Sequence, residues 1–145
     1  MALQLKTKIE QTFSLDRSDK MYDGEGTTVT IRQASQYQHE KRQEIFSNMR
    51  SRYSADGQDV LEIYQRFNAL ELHRLDAKLT IVDCNILDEE GESLFKFKKD
   101  KSGRSYLSMT DAEFDRAWGL LPIDVADEIY EKVLIVNPTW GPSGE

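Results

Sequence analysis

The chain has 145 residues, 39% of them hydrophobic and 31% charged, with a formal net charge of −7. That length and balance fit one folded domain with a single core and exclude a disordered chain, which has too little apolar surface to offset the entropy of folding. The acidic surplus argues against unaided binding to nucleic acid or anionic membrane and favours partners with basic or apolar surfaces. Cys84 is the only cysteine, so no intrachain disulfide can form, which is compatible with a reducing compartment. No run approaches the roughly 18 apolar residues of a membrane span. The opening MALQLKTKIE lacks an apolar core of signal-peptide length, so the expected location is the cytoplasm.

Residues 3–15 set Leu3, Leu5, Ile9, Phe13 and Leu15 at mostly even spacing, which predicts a half-buried strand. Asp16 to Gly26 is polar, contains Gly24 and Gly26, and reads as a loop. Thr27 to Arg32 alternates, is rich in β-branched residues and is the best strand by propensity. The two strands are expected to pair as an antiparallel hairpin with a long loop. Ser35, with Gln38 one turn on, forms a capping-box pattern that opens a helix. On it Tyr37, Ile45, Phe46, Met49 and Tyr53 recur at helical spacing as a narrow apolar stripe, until Ala55–Gln58 breaks the pattern. From near Asp59, Val60, Ile63, Tyr64, Phe67, Leu70 and Leu75 form a wider face with no Gly or Pro before Leu79. This predicts the longest and most buried helix.

Leu79 to Phe97, LTIVDCNILDEEGESLFKF, joins the two halves of the chain. It reads as a strand or helix end, an acidic turn with Gly91 where positive φ is wanted, and a returning strand over Ser93–Lys98. Lys98 to Arg104 is a basic turn centred on Ser102-Gly103, and Tyr106-Leu107 a short strand. Thr110 to Glu113 is a second capping box, with an acid where the helix dipole favours it. The short helix it opens carries Phe114, Trp118 and Leu121. Pro122 ends that helix and starts another, with Val125, Ile129, Tyr130 and Val133, stopped by Asn137-Pro138. The expected architecture is α+β: an N-terminal antiparallel hairpin, two longer helices, a small β-turn unit and two short C-terminal helices. It is expected to fill a single domain over residues 1–138, with a flexible tail over 139–145.

The chain offers little catalytic chemistry. His39 and His73 stand far apart, neither at a ligand spacing from Cys, Asp or Glu, and read as surface or capping residues. Cys84 reads as a small buried thiol. Asp83 to Asp88 has a faint likeness to a calcium loop, but Leu87 takes a ligand position and Asp88 the glycine position, so a polar reversal is the better reading. Asp88, Glu89, Glu90 and Glu92 crowd one turn and read as solvated rather than as an opposed catalytic pair. No glycine-rich phosphate loop is present. Catalytic, cofactor and metal residues are therefore all expected to be absent. Lys96, Lys98, Lys99, Lys101 and Arg104 read as a soluble hairpin tip whose lysines discourage edge pairing, with phosphate contact as the competing reading. Trp140, between Pro138 and Pro142, has two readings: it folds back on the core, or it stands exposed as an anchor for a partner.

The order of elements resembles the tail assembly chaperones of long-tailed bacteriophages. Val29-Thr30-Ile31-Arg32-Gln33 resembles that family's early strand running into a charged helix. Leu79-Thr80-Ile81-Val82-Asp83-Cys84-Asn85 is similar to the end of its middle helices. Asp88-Glu89-Glu90-Gly91-Glu92-Ser93-Leu94 resembles its acidic turn. Leu121 to Ile129, LPIDVADEI, resembles its late Leu-Pro helix start. Relatives often carry tryptophan and glycine where this chain has Cys84 and Asn85, and the KKDKSGRSYLS hairpin is an insertion. The resemblance implies a non-enzymatic protein of the host cytoplasm. Its implied role is to bind the tape measure protein, keep it soluble and help recruit the tail-tube protein.

On this reading the contact residues are Tyr37, Ile45, Met49, Tyr53 and Trp140, with surplus apolar helix faces also pointing to self-association. Competing readings are a structural tail or neck subunit that stays in the virion, an acidic inhibitor of a host nucleic-acid-binding protein, and, weakest, an enzyme.

Overall fold

The structure, a computed structural model, describes residue 2, residues 9–55 and residues 60–141, without the side chains of residues 46, 48–55 and 60–68. Among these residues the chain is α+β. In order it forms β1 (Glu10–Ser14), α1 (Asp16–Tyr22), β2 (Thr28–Arg32), α2 (Gln36–Ala55), α3 (Val60–Thr80) and β3 (Ile81–Cys84). There follow β4 (Phe97–Lys99), β5 (Ser105–Leu107), α4 (Asp111–Gly119), α5 (Ile123–Val136) and a 3-10 turn at Pro138–Trp140. The chain divides into two compact units, Met1–Gln33 with Thr80–Glu145, and Ala34–Leu79. Helices α2 and α3 lie between β2 and β3, and β3 returns to complete a sheet begun before them.

In the first unit β2 is the central strand of an antiparallel sheet ordered β1-β2-β3. Its alternation fixes the register: Val29 and Ile31 point inward and are fully buried, and Thr12 faces Thr30 on the other side with hydroxyls 2.8 Å apart. Ile81-Val82 breaks strict alternation in β3. The pairing absorbs this with a bulge: Thr30 faces Asp83 and Ile31 faces Ile81, leaving Val82 as the extra residue, and both Ile81 and Val82 are buried. Helix α5 packs on β2 and contributes the fully buried Ile129 and Val133. Phe95 and Phe114 fill the next layer with ring centroids 5.5 Å apart, and Trp118 stacks 6.0 Å beyond Phe114. Helix α5 buries Val125, Ile129, Tyr130 and Val133; on α3 Leu70 is exposed and Leu75 buried, while Val60, Ile63, Tyr64 and Phe67 of the expected buried face have side chains outside the described residues.

Several local signals act as read. The β1–β2 hairpin forms, although residues 3–8 of the expected first strand lie outside the described residues. Thr110 caps α4 in a complete capping box, its hydroxyl accepting from Glu113 N while Glu113 Oε1 accepts from Thr110 N at 2.9 Å. The break expected at Ala55–Gln58 falls on residues 56–59, outside the described residues.

Three expectations are corrected. Asp16 to Tyr22 is helix, not loop. The returning strand over Ser93–Lys98 shrinks to one bridge, Leu87 with Ser93. Phe95 turns into the core, and the chain becomes strand only at Phe97, paired with β5. The tail expected from residue 139 is a 3-10 turn with Trp140 only 6% exposed. Asn137 makes that turn: its Nδ2 donates to Val133 O at the end of α5 and to Arg32 O on β2, each at 3.3 Å, which sends the chain back over the helix. Residues 142–145 lie outside the described residues.

Burial of Trp140 makes it part of the core. Trp140→Ala is expected to cost about 3–5 kcal/mol, read as a lower urea midpoint at unchanged slope. An unchanged midpoint would return Trp140 to the tail.

Candidate protein-binding surfaces

The unit Ala34–Leu79 is a helical hairpin clamped at one end. Ser35 Oγ accepts from Gln38 N at 3.2 Å and Gln38 Oε1 accepts from Ser35 N at 2.9 Å, the capping box read from the sequence. Gln38 Nε2 also donates to Leu79 O at 2.7 Å, satisfying a carbonyl at the far end of α3. One turn further, Arg42 Nε and Nη2 grip the Asp76 carboxylate at 2.6 and 3.2 Å, and the Asp76 side chain is fully buried. A buried bidentate pair of this kind fixes the register of two helices better than it stabilises them. The start of α2 thus lies beside the end of α3. On these helices large apolar side chains stand in solvent: Tyr37, within the clamped end, is 70% exposed and Leu70 57%. Ile45 is half-buried. Met49 and Tyr53, also expected at a contact, have side chains outside the described residues.

The first unit carries a groove whose walls depend on α1. Leu15 at the N-cap has no side-chain acceptor for the free N–H groups of this helix. Glu128 supplies one from α5: its carboxylate accepts from Ser18 N at 2.8 Å, Ser18 Oγ at 2.6 Å and Arg17 N at 3.2 Å. Burial alone would raise the Glu128 carboxyl. The hydrogen bonds from Ser18 and Arg17 reverse this and hold it below the ordinary glutamate value. With α1 so placed, Ser18, Asp19 and Tyr22 form one wall of a hollow of about 240 Å³ against Leu121, Pro122 and Val125. Ile86, Leu121 and Pro122 continue into a second hollow of about 380 Å³, closed on its other side by Leu87, Asp88, Glu89 and Glu90. Leu87 and Leu120, both on this second hollow, are 57% and 68% exposed. The result is an apolar floor with a carboxylate rim.

The rim is rigid. Asp88 Oδ1 accepts from the backbone of Glu90 and Glu92, each at 2.9 Å, and Gly91 closes the turn at φ 81°. The β4–β5 turn repeats the device: Asp100 Oδ1 accepts from Ser102 N at 2.9 Å and Arg104 N at 3.0 Å, with Gly103 at φ 83°. These bonds, the Ser102 hydroxyl foremost, hold the Asp100 carboxyl below its usual range. Arg32 fastens this hairpin to the sheet, donating from Nη2 to Ser105 O at 2.9 Å and from Nε to Glu10 at 2.8 Å. Lys98 and Tyr106 face each other across the hairpin and both are exposed.

Cys84 is buried, as its small apolar character suggests, and burial pushes its thiol up to about 11, so at neutral pH it is protonated and a poor nucleophile. Among the described residues no group of three or more His, Cys, Asp or Glu is placed to hold a metal ion, and no helix is long and apolar enough to cross a membrane. Comparison with protein-family models, with curated proteins and with solved structures gives no match.

Of the residues expected at a contact, Tyr37 is open to solvent, Ile45 is half covered, and Trp140 is buried, so the exposed-anchor reading of Trp140 gives way to its folding back on the core. The sequence reading missed the groove and Glu128. An acid one turn after Val125, on the face that carries Ile129 and Val133, was the available signal for Glu128. The adjacent pair Leu120-Leu121 beside Pro122 was the signal for the groove.

Glu128→Gln keeps the shape and removes the charge, and is expected to cost about 1–3 kcal/mol at neutral pH. Because the folded carboxyl titrates below the unfolded one, its stabilisation is full above the ordinary glutamate range. It is lost as pH falls through the folded value. Urea midpoints should therefore converge for wild type and variant on acidification. A gap that stays constant with pH would remove the charge from the account.

Proposed function

We propose that this protein is a tail assembly chaperone of long-tailed bacteriophages. It binds the tape measure protein in the host cytoplasm, keeps that protein's apolar helices from aggregating and helps bring the tail-tube protein to it. The partners are held by non-covalent contact, and no covalent bond is made or broken. The observation that carries the reading is the exposure of Tyr37 and Leu70 on long helices of one clamped unit in a chain of net charge −7. Apolar side chains on a helix pair offer an amphipathic client the contacts it otherwise seeks in its own kind. Excess negative charge keeps the chaperone and its complex dispersed. Ile45, on α2, and Met49 and Tyr53, further along it, extend the proposed contact.

Co-expression tests this. A tape measure fragment that is insoluble alone should move into the soluble fraction and co-purify with the chain. The double variant Tyr37→Asp with Leu70→Asp should lose most of that effect while keeping the wild-type circular dichroism spectrum. No gain in solubility and no complex with the wild-type chain would overturn the proposal. Abundant copies in purified virions would move the reading to a structural tail subunit.

A further inference from the structure

The first unit carries two turns built alike with opposite charge. Asp88-Glu89-Glu90-Gly91-Glu92 and Asp100-Lys101-Ser102-Gly103-Arg104 share an aspartate that accepts from the amides two and four positions on, and a glycine at φ 81° or 83°. The first displays carboxylates and rims an apolar hollow of about 380 Å³. The second displays cations at the tip of a hairpin. In the β4–β5 register Lys98 lies opposite Tyr106, Lys96 N-terminal to it pairs with Ser108 through Ser108 N to Lys96 O at 2.8 Å, and Asp100 pairs with Arg104. Since strand side chains alternate, Lys96, Lys98, Arg104 and Tyr106 share one face. Lys96 on that face lies near Glu113, whose carboxyl is held below its usual range by the Thr110 hydrogen bonds first and by Lys96 in smaller part. No ion pair among the described residues engages Lys98, Lys99 or Lys101.

We propose that the β4–β5 hairpin of one copy docks in the acid-rimmed groove of a second copy, so that the protein assembles head to tail. The Tyr106 ring, 43% exposed, meets Leu87 and Leu120, which are more exposed still. Lys98 and Arg104 meet Glu89 and Glu90. The complement of each surface is thus present on the same chain, and both turns are fixed by their own hydrogen bonds before they meet, so little is lost on ordering them. Contact between two different patches is heterologous: it leaves a free hairpin at one end and a free groove at the other, and builds rows or rings rather than closed pairs. The inference goes beyond the chaperone reading and stands or falls without it, because it concerns only this chain.

Sedimentation velocity tests it with the full chain over a wide concentration range at low salt. Wild type is expected to run as a concentration-dependent series above the monomer, lost at high salt. Lys98→Glu with Arg104→Glu, and separately Glu89→Lys with Glu90→Lys, should each lose every species above the monomer while circular dichroism stays that of wild type. Mixed together, the hairpin variant still offers a groove and the groove variant still offers a hairpin. The mixture should therefore recover species above the monomer, and these can grow past the dimer because the reversed hairpin also complements the reversed groove. Tyr106→Ser, which leaves all charges in place, should weaken the wild-type series. A wild type that stays monomeric, a charge variant that assembles as wild type does, or a mixture that fails to pair would overturn the proposal. So would a monomeric wild type that binds a single-stranded oligonucleotide through this hairpin. The same charge variants, scored for tape measure solubility, separate failure of this contact from failure of the chaperone reading.

Discussion

The α+β unit turns on where its first helix finds an acceptor for free N–H groups. The local sequence gives α1 none, since Leu15 occupies the cap position and its side chain is fully buried. The acceptor is Glu128, on the last helix of the chain. A buried carboxylate is costly unless every oxygen is met by donors, and a helix N-terminus is rich in donors that lack partners. Each therefore removes the other's deficit. The consequence reaches past stability, because α1 held in this way supplies Ser18, Asp19 and Tyr22 to one wall of the groove. The groove is thus set by a contact between residues near the two ends of the chain.

This explains what could and could not be seen in the sequence. Signals closed within a few residues were legible: the Ser35–Gln38 and Thr110–Glu113 boxes, the alternation that buries Val29 and Ile31, and Gly91 at positive φ in the acidic turn. Each has its donor, acceptor or partner inside the window being read. Helix α1 was missed because its acceptor is distant, and a polar stretch with glycines beyond it otherwise has the composition of a loop. Trp140 was misplaced for a related reason. Its burial depends on Asn137 bonding to Arg32, a strand residue that no window around the tryptophan includes. The two-unit division was hidden because apolar periodicity reports that a helix has a buried side and not which partner covers it. The surfaces were not legible from periodicity: a place on the narrow stripe does not tell that Tyr37 stays exposed, and the groove required Ile86 and Leu121 to be brought together by the fold.

The division into units also separates two kinds of surface. The helical hairpin offers apolar side chains on long, regular elements, a form of surface suited to another helix. The α+β unit offers short rigid turns with strong charge beside a small apolar hollow, a form suited to a folded partner of fixed shape. A chain of net charge −7 that nevertheless gathers Lys98, Lys99, Lys101 and Arg104 on one hairpin has not distributed its charge as solubility alone would require. Solubility is served by carboxylates spread anywhere, whereas a concentrated cationic tip within an acidic molecule serves recognition.

Rigidity decides whether such a tip matters. Exposed ion pairs between flexible side chains contribute typically 0 to about 1 kcal/mol, because ordering two long side chains offsets most of the attraction. Here the backbones beneath the charges are already ordered. Asp88 and Asp100 use their carboxylates on their own turns, Gly91 and Gly103 take the conformation that closes them, and Arg32 ties the basic hairpin to the sheet. What remains to be ordered on contact is the ends of a few side chains, and Tyr106 adds apolar area that salt does not screen. Rim charges then set orientation and rate of encounter, while the ring in the hollow sets how long the contact lasts. An acidic turn or a basic turn alone would be a solvated loop; it is their common construction beside an open apolar hollow that makes the pair a fitting.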